Sequence, residues 1–311
     1  LFTDLLTPTV LIGIASSGIR LATPYLYATI GETIGQLSGV LNLGVEGMML
    51  LGAYAGFYTT FRTGNPWLGL LTAIAVGLAL GLVNAFVSVT LKAEQGISGI
   101  GMYLFGLGMS ELLFQVTLGT VETVRGFAPI RLPGLGSIPI LGDVLFNHNV
   151  LVYGAYLLVP LAWFVLHRTT WGLKIRAAGQ NPSAADSLGV SITGVRYATV
   201  TLGGVLSAVA GASLSIALLN VFQQNLTSGM GFIAVALVYF GGWTPVGALV
   251  GSLLFSTVNA LQSWVQLLGL PIPPDFALMM PYVLTILALV LTVRKVRTPA
   301  ALTKPFERGE G

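Results

Sequence analysis

The sequence predicts an all-α, polytopic membrane protein: about nine spanning helices in a single domain, 1–311, with broken or re-entrant elements among them. Three observations lead there. Only 8% of the 311 residues are charged and 54% are hydrophobic, whereas a soluble domain carries about 25% charged residues. Apolar runs recur at close to the ~20 residues that one crossing of a bilayer needs. The 40 glycines give such helices small surfaces on which to pack closely.

In order, the predicted spans are 20–38, 44–61, 68–91, 97–117, 149–167, 198–219, 229–242, 246–266 and 276–293. Residues 1–19 are apolar but broken by glycine, and are expected to lie at an interface rather than to cross. No basic stretch followed by a cleavage site opens the sequence, so no removable signal is expected in it. Gly35/Gly39, Gly52/Gly56, Gly77/Gly81 and Gly247/Gly251 have the GxxxG spacing of close helix contacts. The absence of cysteine excludes disulfides and thiolate metal sites. His148 and His167 are too few and too far apart to predict a metal centre.

Lysine and arginine set the orientation. Ten of the fourteen fall in four places: Lys92; Arg168, Lys174, Arg176 and Arg196; Arg294 and Lys295; and Arg297, Lys304 and Arg308. The positive-inside rule assigns all four to the cytoplasm. Alternation then makes 118–148 an external loop, 168–197 a cytoplasmic segment and 294–311 a cytoplasmic tail, with the N-terminus outside. The net charge of +3 is no sign of nucleic acid, because in a membrane chain placement outweighs the sum. The external loop contains Pro129, Pro133 and Pro139 and cannot be one regular helix. It reads equally as a packed lid or as a landing surface for an external partner.

The chain echoes itself. LNLGVEGMMLLGAY (41–54) and LTSGMGFIAVALVYFGGW (226–243) each open a helical hairpin. Each passes through a Pro-containing turn, Asn65-Pro66 or Thr244-Pro245, into a glycine-rich helix that reaches Val-Asn-Ala at 83–85 or 258–260. The first hairpin starts inside and the second outside, as inverted repeats do around a substrate path. The run 229–242 is short for a crossing and suits a broken or re-entrant element.

Ionisable groups within apolar runs are costly and face protein or water. Glu32, Glu46 and Glu111 are of this kind, and Glu111, near an outer end, reads as interfacial. Glu46, in NLGVEG, suits the first turn of a helix. It is expected either to bond a helix or to border a translocation path. The candidate path residues are Asn42, Glu46, Asn84, Phe232, Tyr239 and Asn259. The asparagines offer hydrogen bonds to a ribose or a base, although bonding between helices uses the same groups.

The polar stretch WGLKIRAAGQNPSAADSLG (171–189) stands out between apolar runs. Asn181 is a favoured N-cap, Pro182 suits the first helical position and Gly189 can close the helix. A helix over 182–188 is too short to stand alone. Ala184, Ala185 and Leu188 would give it a small apolar face suited to a groove on another protein. With Arg176, Gly179, Asn181, Pro182, Asp186 and Gly189, they form the candidate docking set.

GETIGQLSGVLNLGVEGMMLLGAYAG (31–56) and GLKIRAAGQNPSAADSLGVSITGVR (172–196) resemble the permease subunit of bacterial ABC importers of the ribose/branched-chain-amino-acid class. Within it the chain is most similar to nucleoside-uptake permeases of the simple-sugar type, over nearly its whole length. One departure is Gln36-Leu37, where related chains carry Glu-Arg. The resemblance implies an inverted-repeat importer architecture in the bacterial inner membrane, with 181–189 as the coupling helix that seats on a cytoplasmic ABC ATPase. It further implies a second permease subunit, identical or homologous, and an external substrate-binding protein. This chain would hold no cofactor: ATP and Mg would sit on the ATPase, and no lysine here lies in a GxxxxGK[ST] loop. The expected function is a nucleoside path without catalytic residues. The alternatives are a permease for a simple sugar such as ribose, or an ion-coupled secondary transporter using Glu46 or Glu32.

Overall fold

The computed structural model describes residues 7–268 and 298–308, with single positions between 276 and 290. Its helices are α1 (Pro8–Leu37), α2 (Val45–Thr63), α3 (Pro66–Ala85), α4 (Gln95–Thr117), α5 (Leu141–Leu145), α6 (Val150–Arg168), α7 (Thr170–Gln180), α8 (Pro182–Ser187), α9 (Ile192–Ser213), α10 (Met230–Phe240) and α11 (Pro245–Leu267). One π-helical turn extends each of α3 and α9, at Phe86–Thr90 and Leu214–Leu218.

Helix starts follow local chemistry. The Asn65 side chain accepts from Trp67 N at 2.9 Å and the Thr244 hydroxyl from Gly247 N at 3.0 Å, each just before a proline at the first helical position. A capping side chain satisfies one of the backbone donors a helix leaves free, and proline has no such donor to lose. Both predicted hairpin turns are therefore present.

Among the described residues five helical stretches are long and apolar enough to cross a membrane: 66–90, 95–117, 150–168, 192–218 and 245–267. Helices α1 and α2 have 30 and 19 residues yet are less apolar, because protein surrounds them. Ala22 to Gln36 of α1 and Val45 to Tyr54 of α2 are buried without a break, so their outer atoms need not match lipid. Small residues permit this packing. A Cβ on Gly204 of α9 would fall 2.6 Å from Gly81 Cα of α3, and one on Gly211 only 1.8 Å from the Met49 carbonyl oxygen. The Gly35/Gly39 pair does not act this way: Gly39 turns the chain at φ +96°.

Two expectations change. Residues 8–19 do not lie apart at an interface but continue α1, where Val10 and Ile14 cluster with Ala260 of α11. The glycines that looked like breaks are contact points, since Gly13 sits against the Trp264 ring and Gly18 against Thr257. The expected span 276–293 falls largely outside the described residues.

The two ends of the helices are built differently. Lys92, Arg196 and the tail 298–308 meet at one end, through Lys92–Glu307 and through the Arg196 guanidinium on the Lys304 carbonyl at 3.0 Å. At the other end 118–148 is folded down as a lid. Val124 N and Phe127 N donate to Asn220 O and Ile216 O, both at 2.9 Å. Ile130–Arg131 pairs antiparallel with Asn147–His148.

Candidate functional site

At the basic end, α7 and α8 present the polar stretch. The Asn181 side chain accepts from Ala184 N at 3.0 Å, and Gly189, at φ +81°, lets Gly189 N and Val190 N close the turn on Asp186 O and Ala185 O. The helix covers 182–187, one residue less than predicted. Its side chains divide differently from the expected face. Leu188 is 85% exposed and Ala184 is exposed, but Ala185 is 4% exposed and belongs to the main core. The outward face is therefore Asn181, Ser183, Ala184, Ser187 and Leu188, and Ala185 anchors the helix. Arg176 is half-buried and reaches back to Gly172 O at 3.4 Å, and Gly179 is buried.

Sequence reading missed that the tail straps this segment down. Ala301 N donates to Gly179 O at 2.9 Å, Thr303 N to Gly39 O at 3.1 Å and Arg308 Nε to Asp186 at 2.9 Å. Arg196, 2% exposed, bonds Ser38 O at 3.1 Å as well as Lys304 O. One guanidinium thus holds the inner end of α1 and the tail together. Its rigid fork of donors suits two carbonyls at once. Gly179 is required here, since a Cβ would lie 2.1 Å from Leu37 O. No pattern in the tail itself signals this role.

Glu46 lies in the interior, 1% exposed. Its carboxylate accepts from the Thr227 hydroxyl, from Gly229 N at 2.7 Å and from Gly231 N at 2.6 Å. It caps α10 rather than its own helix, placing an acid where a helix dipole and free N–H groups favour one. Of its two expected roles, the bond to a neighbouring helix is the one the geometry displays. The available signal was TSGMG before the short second-repeat helix, opposite NLGVEG in the first.

The other candidate path residues do not converge. Asn42 donates its N–H to Glu32 at 2.9 Å and folds its side chain onto Gly44 N at 2.8 Å. Gln36 links Glu32, at 2.9 Å, to the Trp243 indole at 2.8 Å, and Tyr239 meets Trp243 edge-on at 4.8 Å. Asn84 is buried against Ser88, and Asn259 is half-buried on α11, so the two Val-Asn-Ala triplets sit in unlike surroundings. Phe232 is 37% exposed and touches Tyr103 of α4 at 5.1 Å. Glu111 is exposed on α4. No cluster able to hold a metal is found among the described residues.

The fold, with five helical stretches among the described residues long and apolar enough to cross a bilayer, defines a polytopic membrane protein. The sequence matches the family described as branched-chain amino acid transport system / permease component over residues 14–289, and the chain belongs to that family. It is 42% identical, over 85% of this chain and 80% of the relative, to the "Putative glucose ABC transporter permease protein TsgC13" of Haloferax volcanii. It is 34% identical to the guanosine ABC transporter permease protein NupQ of Bacillus subtilis, over 93% of this chain and 94% of that one. To the nucleoside ABC transporter permease protein NupC of Lactococcus lactis it is also 34% identical, over 90% and 92%. No solved structure matches. The chain is thus an ABC transporter permease, a transport component and a multi-pass protein of the inner membrane.

Proposed function

We propose that this chain forms the membrane path of an ABC importer for nucleosides and receives the work of a separate ATPase through α8. The observation that carries this reading is the presentation of Leu188, 85% exposed at the end of a capped six-residue helix. Burying such a side chain in a partner's groove contributes about 1.5–3 kcal/mol, which gives a reason to hold it out rigidly. In this reading ATP and Mg belong to the ATPase, and a second permease, identical or homologous, completes the path. An external binding protein lands on the 118–148 lid, where Ile130, Leu135, Ile140 and Leu141 are exposed. The span count rises to nine with α1, α2, the broken α10 and 276–293, arranged as inverted repeats.

Nucleosides are favoured by two relatives, so named, that match almost end to end. A sugar is the second reading, favoured by the 42% identical glucose permease relative. Ion coupling through Glu46 gains no support, since three donors already occupy its oxygens. The test is purification of the chain in mild detergent from its native membrane, followed by reconstitution and uptake of labelled guanosine and glucose. Co-purification of a P-loop ATPase with ATP-dependent guanosine uptake supports the proposal, and glucose uptake instead selects the second reading. A chain that comes out alone and transports without ATP overturns it.

A further inference from the structure

Between the lid and α10 the chain turns back into the protein. Phe222 packs on Phe114 of α4 at 5.7 Å, near the outer end of that helix, whereas Phe232 packs on Tyr103 at 5.1 Å. Those α4 positions are separated by 11 residues, about 16 Å at the helical rise. The lower level is near mid-span: Gly47, next to Glu46, lies against Met102, Tyr103 and Gly106, and α4 runs from Gln95 to Thr117. Segment 222–229 therefore descends from the outer side of the spanning region to its middle.

This segment is polar on its open side. Gln223, Gln224, Asn225 and Ser228 are all exposed, and the three amide side chains make no hydrogen bond within the described residues. The segment is held in place, because Phe222, Leu226 and Thr227 are buried and Glu46 holds Thr227 and Gly229. On α4, Tyr103, Leu107, Glu111 and Gln115 share one ridge by their four-residue spacing, and Tyr103 is the member that meets Phe232. Glu111 and Gln115 are exposed and bonded to each other at 3.3 Å. Polar side chains along this descent are costly against lipid tails, so toward mid-span they face water or a cavity, while Glu111 and Gln115 lie nearer the outer end.

We propose that Gln223, Gln224, Asn225 and Ser228, continued by Glu111 and Gln115, form the substrate-binding wall of the translocation path. Amides donate and accept in the same group, so the wall suits a neutral solute with several hydroxyl or amide groups, as nucleosides and sugars are. It contains no cation to select an anion, and Phe232 at its foot offers a ring face to a base or a pyranose. The wall rests on the permease reading above, but moves the path from the buried asparagines to residues that are free to bond a solute.

The lack of cysteine makes a direct test possible. Gln223→Cys, Gln224→Cys and Asn225→Cys are introduced singly into the full transporter and treated in intact cells with a membrane-impermeant cationic thiosulfonate, with Leu112→Cys, 54% exposed on α4, as the lipid-facing comparison. The wall positions are expected to react, Leu112→Cys is not, and added guanosine or glucose should slow the reaction several-fold. Gln224→Leu with Asn225→Leu should lower ATP-driven uptake of that solute at least tenfold at unchanged membrane abundance. Wall cysteines as inert as Leu112→Cys, or reactive ones with neither protection nor an effect of the leucines on uptake, overturn the wall. Uptake by the unaltered transporter, measured with and without ATP, separates this failure from failure of the importer reading.

Discussion

Replacement of Glu46 separates a structural carboxylate from a transporting one. In Glu46→Ala, the Thr227 hydroxyl and the N–H groups of Gly229 and Gly231 lose their acceptor, in an interior where water is scarce. Each orphaned donor costs about 1–3 kcal/mol. Together they exceed about 3 kcal/mol, even allowing the hydroxyl to rotate toward another acceptor. Glu46→Gln keeps one oxygen for Thr227 and Gly229 but turns an NH₂ toward Gly231 N, for a cost of about 1–3 kcal/mol. The assay is the fraction of protein still monodisperse after a heating series in nanodiscs, paired with ATP-driven uptake per folded molecule. Thermal resistance should fall in the order parent, Glu46→Gln, Glu46→Ala, while uptake per folded Glu46→Gln molecule stays near the parent value. A Glu46→Gln protein as heat-resistant as the parent but unable to transport would refute the capping role and return the carboxylate to the path.

Leu188→Glu should abolish co-purification of the ATPase without lowering membrane abundance, whereas Ala185→Arg should lower abundance itself, because Ala185 is 4% exposed; equal behaviour in the pull-down and on immunoblots would contradict this division. Arg196→Lys loses the fork that spans Ser38 O and Lys304 O, at about 1.5–3 kcal/mol for one charged hydrogen bond, and should release the tail to limited proteolysis. Gly211→Ala should destabilise the α2–α9 crossing, seen as a lower melting midpoint, since its Cβ has no room beside Met49 O. His148 donates from Nε2 to Val144 O at 2.8 Å and leaves Nδ1 buried without a partner; burial holds its pKa below the usual histidine value, with a smaller contribution from Arg20. The open lid thus binds the proton more readily than the closed one, so lid stability is full above about pH 6.5 and declines below it. Protease cleavage within 118–148 should accelerate on acidification from pH 7.5 to 5.5, and a flat profile would remove His148 as the cause.

Much of the fold was legible because spanning helices announce themselves by hydropathy and length, and because Asn-Pro, Thr-Pro and Ser caps mark their starts. The starts of α3, α9 and α11 follow those caps, while α4 and α6 are capped by Glu94 and Asn149 and were legible from hydropathy and length. What hydropathy reports, however, is contact with lipid, and so it underrates the centre. Gly13 and Gly18 looked like interruptions in α1, yet they are where α11 comes close. The same limit applies to the site. Asn42, Glu46 and Asn84 were conspicuous as polar residues inside apolar runs, and their partners lie 10, 181 to 185, and four residues away in sequence. For Glu46, whether the carboxylate bonds protein or faces a path depends on partners in the second half of the chain, which spacing does not encode. Helix α8 was legible as a helix, but its exposed face was not, since Ala184 and Ala185 differ only in which one meets the core.

The contacts also say where force applied to α8 must go. Ala185 fixes α8 to the core, and Asp186 ties it to the tail. The tail is bonded to Gly179 and Gly39, and Arg196 bonds the tail to Ser38. All of these meet at the inner end of α1. Within the last turn of α1, Gln36 is bonded to Trp243 and to Glu32, so the turn between α10 and α11 is joined to the same point. The far end of α10 is held by Glu46 of α2. A displacement of α8 therefore reaches α10 from its C-terminal side, while Glu46 restrains its N-terminus beside segment 223–229. An uncoupling substitution at Gln36 follows from this. Gln36→Leu breaks the bonds to Trp243 and Glu32, leaving ATPase binding and ATP hydrolysis intact, and uptake per ATP should fall. If uptake per ATP is unchanged in Gln36→Leu while the protein remains folded, the work of the ATPase does not enter the path through α1, and the α9 side of Arg196 becomes the route to test.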